Sequence, residues 1–452
     1  MTLLIRTIAI ALASSLSVAN VGCGSGGTLP PTPTSPSSGN IFSAGTNANW
    51  NATLQSSGAL NIGSTPGDAV TALAAAADGG VVAFGYSLGS FPGAPNPLQT
   101  AAAVIHKINT DGQLEWTRNV TSVTGDFGIS GAVAPDGTVI IASARTESST
   151  TTVCVVTAFT SLGARLWQTR LPLTGARALP VRLQVRGTSE VLILGTRSSG
   201  SGQDMFLTNL ALQDGSQQAS RTWGDATSFL SPTDFAVNAN SGALSILGQS
   251  ATPFPSGAQS GTHTFIVTVN AMGGQTWLNE RLPGNALATA LGILPSGEPV
   301  LGGAISSDTP PLFIAGLGTT MHVHSALWKL SASDGSATIM KEFTSGAGDQ
   351  VSSLAVARNG SVFAVGSTFG AFNPQFAAAQ NRYLLKLDST LNAVSVRQFG
   401  SGEVIGKAVP FGPCAAAGDS VIFTATTIQV PLGSSTSSPS ANTSWLISKW
   451  SE

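Results

Sequence analysis

From Trp50 to the C-terminus, short apolar runs alternate with polar turns rich in Gly, Asp, Asn and Ser, and no stretch keeps the period of an amphipathic helix. The runs group in fours, and the group recurs degenerately about every 50–60 residues. Its fullest copy reads Gly67-Asp68-Ala69-Val70 and an apolar run, Asp78-Gly79-Gly80, Val81-Val82-Ala83-Phe84-Gly85, a variable loop, Val104-Ile105-His106-Lys107, Asp111-Gly112 and Leu114-Glu115-Trp116. Four short strands repeated at this period predict the blades of a β-propeller, an all-β fold whose radial repetition leaves only short, protected sheet edges.

Alignment on the second strand of each group, which ends in small residues, yields seven copies, anchored at Gly85, Ala142, Gly195, Gly248, Gly302, Gly366 and Ala425. A turn pair precedes each anchor: Asp78-Gly79, Asp136-Gly137, Arg186-Gly187, Ser241-Gly242, Ser296-Gly297, Asn359-Gly360 and Gly418-Asp419. Such pairs between apolar runs are strong hairpin signals. Third strands follow at 104–108, 153–158, 205–210, 265–269, 326–330, 383–387 and 445–448. Fourth strands open on a tryptophan after a glycine turn at Trp116, Trp167 and Trp277, with Trp223 in that role in the third copy and Met340 and Val396 in the fifth and sixth. The seventh copy has no fourth strand after its third, but Asn49-Trp50-Asn51-Ala52-Thr53-Leu54 resembles Glu115-Trp116-Thr117-Arg118-Asn119-Val120. The expected fold is therefore a seven-bladed β-propeller of four-stranded blades over residues 49–452, its ring closed by an N-terminal strand that completes the last blade.

The succession Gly-x-x-x-Trp, Gly-Asp, Asp-Gly-x-Val, Gly-x-Ser/Thr and in places Phe-Pro (Phe91-Pro92, Phe254-Pro255) resembles bacterial β-propeller repeats of the SBBP type, most clearly in the first, fourth and sixth copies. The resemblance implies a propeller in an exported protein or lipoprotein, and it implies no single activity. In a four-stranded blade, the turns joining strands one to two and three to four share one face. Here these are uniformly short, while the opposite face receives the long segments 86–101, 249–262, 303–323, 367–380 and 427–442. Long loops on a rigid scaffold are where binding usually resides, so that face is the candidate working surface. Neutral length variation, which surface loops tolerate cheaply, is the other reading.

Composition changes the picture mainly by exclusion. The net charge of −2 leaves no electrostatic footprint for nucleic acid, and only 9% of residues are charged, so Ser, Thr, Asn, Gln and Gly must supply the polar surface. At the N-terminus, Arg6 and the apolar stretch from Ile8 to Val18 read as a signal peptide, too short for an ordinary membrane span. Val21-Gly22-Cys23-Gly24-Ser25 resembles a bacterial lipoprotein cleavage site, although Asn20 stands where that family prefers leucine. The resemblance implies a signal peptide over 1–22, lipidation of Cys23, and an outer-membrane or cell-surface address compatible with Gly24; a plain secretory cleavage is the alternative. Residues 23–48, rich in Pro, Ser, Thr and Gly, read as a tether.

Candidate chemistry is sparse. Asp68, Asp126, Asp349 and Glu403 each follow a glycine at the start of a first strand, with Asp234 as a shifted equivalent, and would ring the channel mouth. They could hold Ca²⁺ or a polar ligand on carboxylate oxygens, or each could cap the amides of its own turn. No Asp-x-Asp-x-Asp-Gly calcium loop occurs. His322 and His324 would share a strand face as metal ligands can, whereas His106 lies in an apolar strand and reads as core or outer surface. Cys154 and Cys414 read as two buried thiols, with a disulfide allowed in an oxidising compartment. No Gly-x-Ser-x-Gly elbow, phosphate loop or metal-type cysteine spacing is present. The expected function is non-catalytic: a monomeric cell-envelope scaffold that meets a protein or polysaccharide and touches the membrane only through its lipid. A hydrolase or quinone-type oxidoreductase with its site at the channel mouth is the alternative, and a surface-coat protein is a third reading.

Overall fold

The computed structural model describes residues 50–55, 68–91, 94, 96, 100–120, 125–173, 177–199, 202–224, 227–251, 263–280, 282, 286–306, 323–372, 381–399, 407–408, 413–430 and 442–451. They form seven antiparallel sheets in a ring, a seven-bladed β-propeller with no helix among the described residues. From the inside outward, blade one is Asp68–Ala75, Val81–Ser87, Ala102–Ile108 and Leu114–Val120. Blade two is Asp126–Val133, Val139–Thr146, Thr152–Phe159 and Arg165–Arg170. Blade three is Ala178–Arg186, Glu190–Ser199, Gly202–Ala211 and Gln217–Trp223. Blade four is Leu230–Val237, Leu244–Ser250, His263–Val269 and Gln275–Asn279. Blade five is Ala286–Ile293, Pro299–Ser306, Val323–Leu330 and Ala337–Phe343. Blade six is Asp349–Val356, Val362–Thr368, Asn381–Leu387 and Ala393–Phe399.

Blade seven closes the ring as expected. Trp50–Gln55 pairs antiparallel with Asn442–Ser451, from Trp50 opposite Lys449 to Gln55 opposite Ser444. Val421–Val430 comes next, and the inner place is shared by Lys407–Ala408 and Cys414–Ala417. Lys449 stands in its blade where His106 stands in blade one, so Trp50 answers to Thr117, one place beyond Trp116.

Burial explains the hydropathy pattern. Second and third strands are covered on both faces by neighbouring blades, and Val81–Ser87, Ala102–Ile108, Thr152–Phe159 and Val362–Thr368 are buried throughout. Hence they read as continuous apolar runs. Outer strands such as Arg165–Arg170 are largely exposed and polar.

The small anchor residues have a specific cause. In blades one to six the inner strand carries a β-bulge, for example between Val70 and Ala72 and between Val351 and Ser353. Where a glycine faces the bulge there is no room for a side chain: a Cβ on Gly85 would overlap the carbonyl oxygen of Ala69, and one on Gly366 that of Gln350. This register moves two anchors by one position. Ser143, not Ala142, faces the bulge in blade two, and Gly303, not Gly302, in blade five. Two small residues are adjacent at both places, and only the pairing separates them. The extra residue of the bulge joins blades: Thr71 Oγ1 donates to Gly128 O at 3.1 Å and Thr289 Oγ1 to Val351 O at 2.9 Å.

In blades one, two and four an outer-strand tryptophan latches the blade to the next. Trp116 Nε1 donates to Ser161 O at 2.9 Å, Trp167 Nε1 to Leu212 O at 2.8 Å and Trp277 Nε1 to Ala332 O at 3.0 Å, all in the outer turn of the following blade. Two residues on, Arg118, Thr169 and Asn279 reach Gly163, Gly215 and Gly335 of the same turns. Those glycines have left-handed backbone, and a Cβ on Gly335 would strike the Trp277 ring. In blade three the tryptophan position is held by Ala219 opposite Asn209, while Trp223 lies at the far end of its strand opposite Met205. Ile339 and Ser395 hold it in blades five and six, one place before Met340 and Val396. In blade six, Leu391 takes the glycine's place with φ of 61° and is wholly buried. At the seam, Lys449 Nζ donates to Thr110 O at 3.0 Å.

Trp277→Phe is expected to lower stability by about 1 kcal/mol through the lost hydrogen bond, and Trp277→Ala by about 3–5 kcal/mol through the cavity between blades four and five. Urea unfolding of the two variants beside the wild type reads both values. Equal losses would mean that the indole N–H contributes nothing.

Candidate functional site

Inner strands begin, second strands end and third strands begin on the face that carries the long loops. Asp68, Asp126 and Asp349 are the first residues of their inner strands, level with Ser87, Arg145 and Thr368. All three are buried. Asp68 accepts from Ser87 Oγ. Asp126 accepts from Arg145 Nε at 2.9 Å. Asp349 accepts from Ser345 N at 2.7 Å and Ser345 Oγ at 2.6 Å, and burial holds its carboxyl above the usual range against hydrogen bonds from Ser345 and Thr368. Glu403 and Cys23 lie outside the described residues, as do His322 and the segments 1–49 that contain the signal and tether. Among the described residues, no three His, Cys, Asp or Glu side chains gather as a metal ion requires.

Asp234 is not an equivalent of these residues. It sits past the bulge, opposite Leu247, at the position held by Arg182 in blade three. Arg182 Nε stands 3.1 Å from Asp234 Oδ1 without the alignment of a hydrogen bond, and Asp234 also accepts from the amides of Phe235 and Leu291, each at 2.9 Å. Burial pushes the Asp234 carboxyl up, while Arg182 and the two amides pull it back. In the same layer, Ser130 Oγ accepts from Leu183 N at 2.9 Å and Ser353 Oγ from Cys414 N at 3.2 Å. Burial pushes the Cys414 thiol up to about 11, opposed by Ser353 and by Arg182 on another blade. Of this pair only Asp234 was a sequence candidate for the channel mouth, and Arg182 was not, although each follows a Pro-x dipeptide, Pro180-Val181-Arg182 and Pro232-Thr233-Asp234.

His263 and His324 occupy the same position in adjacent blades, and each meets a glutamate at the end of its outer strand. His263 Nε2 lies 3.0 Å from Glu280 Oε1, and His324 Nδ1 3.7 Å from Glu342 Oε2. These glutamates lie 17 and 18 residues beyond the histidines and become their neighbours only through strand pairing. Cys154 and Cys414 are both buried free thiols.

His106 is a core residue. Its Nδ1 is 2.9 Å from Thr117 Oγ1, and it packs edge-on to Phe91 and Trp445 at the seam, with Nε2 unpartnered. Burial drives its pKa from 6.5 to about 3. The unfolded chain therefore takes up a proton below pH 6.5 that the folded chain refuses until about pH 3. Stability present above pH 6.5 is lost as pH falls toward 3, at up to about 1.4 kcal/mol per pH unit. His106→Gln is expected to flatten this acid limb, read by urea unfolding at about pH 7 and about pH 4.5. An unchanged drop in the variant would remove His106 as its cause.

The fold defines the class: the molecule is a seven-bladed β-propeller. It is similar to the crystal structure of the polysaccharide lyase Uly1, with a TM-score of 0.53 and 9% identity over 90% of this chain and 100% of that one. A protein of unknown function from Dyadobacter fermentans superposes with a TM-score of 0.47 and 10% identity over 90% of this chain and 99% of that one. Likeness at such identity is a likeness of fold. No family model matches the chain, and no curated protein does.

Proposed function

We propose that this chain is a non-catalytic binding propeller of the bacterial cell envelope, of the SBBP type, exported and held by a lipid on Cys23 through the 23–48 tether. It acts as a monomer and offers its long-loop face to an envelope protein or polysaccharide. One observation carries this reading. The links between second and third strands are long at 88–101, 251–262, 307–322, 369–380 and 431–441, in blades one and four to seven, which are contiguous around the ring. In blades two and three the same links are only 147–151 and 200–201, and every turn on the opposite face is short. The blades that carry the long links are thus neighbours on one rigid base, and long links on a rigid base are a usual place for recognition.

The test is affinity capture from crosslinked native envelopes with the full-length protein, beside a variant shortened in 86–101 and 303–323. A partner held by the first and lost by the second is the expected result. Equal capture by both would overturn the assignment to this face. The Arg182–Asp234 pair among the inner strands favours a second reading, an enzyme at the channel mouth. A calcium- or quinone-dependent rise in melting temperature, abolished by Asp234→Asn, would support that reading over the first.

A further inference from the structure

The two blades without long loops draw all their positive charge from arginine. Residues 126–223 hold eight arginines of the chain's 20 Lys and Arg, and no lysine. At the border of this sector, between blades one and two, lies a cleft of about 510 Å³ lined by Arg118, Arg145 and Arg165, with Asn119, Gln168 and Phe159 beside them. No acidic side chain lines it. Asp126 offsets one of the three charges by accepting from Arg145 Nε at 2.9 Å. Arg118 gives Nε to Gly163 O and Nη1 to Thr117 O, each at 2.7 Å, and its guanidinium lies 5.7 Å from the Trp116 ring. Carbonyls and a ring face hold this cation in place without neutralising it. Arg165 is exposed, and no ion pair engages it among the described residues.

We propose that this cleft binds an acidic oligosaccharide, one that carries carboxylates among its hydroxyl groups. Guanidinium forks match carboxylates bidentately, and a fork already fixed loses less entropy on binding. Gln168 donates Nε2 to Thr157 Oγ1 at 3.0 Å, which leaves its amide oxygen as an acceptor for a sugar hydroxyl. The volume is that of a small-ligand site, and the polar lining favours a hydroxyl-rich chain over an apolar ligand. The cleft adjoins the long-loop face where Asn119 Nδ2 donates to Ala94 O at 2.8 Å, but its three arginines belong to strands Leu114–Val120, Val139–Thr146 and Arg165–Arg170, so this inference does not require that the loops bind a partner.

The experiment is calorimetric titration of the full-length protein with trigalacturonate, a hyaluronan hexasaccharide, the methyl ester of trigalacturonate and hexaglutamate. At least one uronate is expected to bind, with the ester and the peptide about tenfold weaker, and Arg165→Glu is expected to weaken it by a further factor of about ten. Arg358→Glu, an exposed change in a blade-six turn, is expected to leave it unaltered. The proposal is overturned if neither uronate binds, if hexaglutamate binds as well, or if Arg165→Glu has no effect.

Discussion

Removal of residues 1–55 is expected to open the ring and drive the protein into oligomers. Among the described residues, the six of Trp50–Gln55 supply the only partner of the outer edge of Asn442–Ser451. Losing their ladder forfeits on the order of six backbone hydrogen bonds at about 1 kcal/mol each, comparable with the whole stability of many folded domains. It also bares the edge of a ten-residue strand that buries Trp445 and Ile447 on one face and Trp450 on the other. An unprotected edge of that length pairs with the nearest available strand, which is then another copy. Size-exclusion chromatography reads the outcome, and a synthetic peptide of residues 49–58 is expected to restore the monomer. A truncated protein that stayed monomeric with an unchanged melting temperature would show that the N-terminal strand is dispensable.

Gly85→Ala is expected to destabilise the protein by about 3 kcal/mol, an unusually large effect for one added methyl group. The new carbon would overlap the carbonyl oxygen of Ala69 in its own blade and come within 2.7 Å of the Trp445 ring of blade seven. Relief by backbone movement is blocked from the other side, because the carbonyl of Gly85 lies against Gly128 of blade two. Strain at this point thus reaches three blades and the seam. Gly187→Ala is the comparison, since its Cβ would meet nothing within 4 Å and only its φ of +61° is unfavourable. That change is expected to cost about 1 kcal/mol. Equal losses in the two variants would show that the bulge contact does not set the small-residue rule.

The number of blades and the closing strand were legible because they depend on periodicity, and the burial of second and third strands writes periodicity directly into residue type. Single-residue register was less legible. Ala142 and Gly302 each lie beside the true bulge partner, Ser143 and Gly303, and two neighbouring small residues carry no sign of which one faces the carbonyl. The latch position was hidden wherever tryptophan is replaced. A Gly-x-x-x spacing marks it in Gly215…Ala219 and Gly335…Ile339, yet Trp223 drew attention to the wrong end of its strand. Charge pairing was the least legible feature. Arg182 with Asp234, His263 with Glu280, and the cluster of Arg118, Arg145 and Arg165 join residues on different strands or blades, and nothing local in the chain couples them.

The most direct test of the closed ring is a designed crosslink between the chain's two ends. Asn51 and Ser448 are register partners, and opposed residues of an antiparallel pair lie within disulfide reach. Cysteines at both places, with Cys23→Ser so that neither a lipid nor a further thiol takes part, should be oxidised and mapped by peptide mass spectrometry. The buried thiols of Cys154 and Cys414, both pushed up in pKa, should stay reduced. The expected result is one intramolecular disulfide between the N- and C-terminal peptides in a monomer, absent when Ser444 replaces Ser448 as the second site. Free thiols at both positions, or disulfides only between molecules, would contradict closure of the propeller by its N-terminal strand.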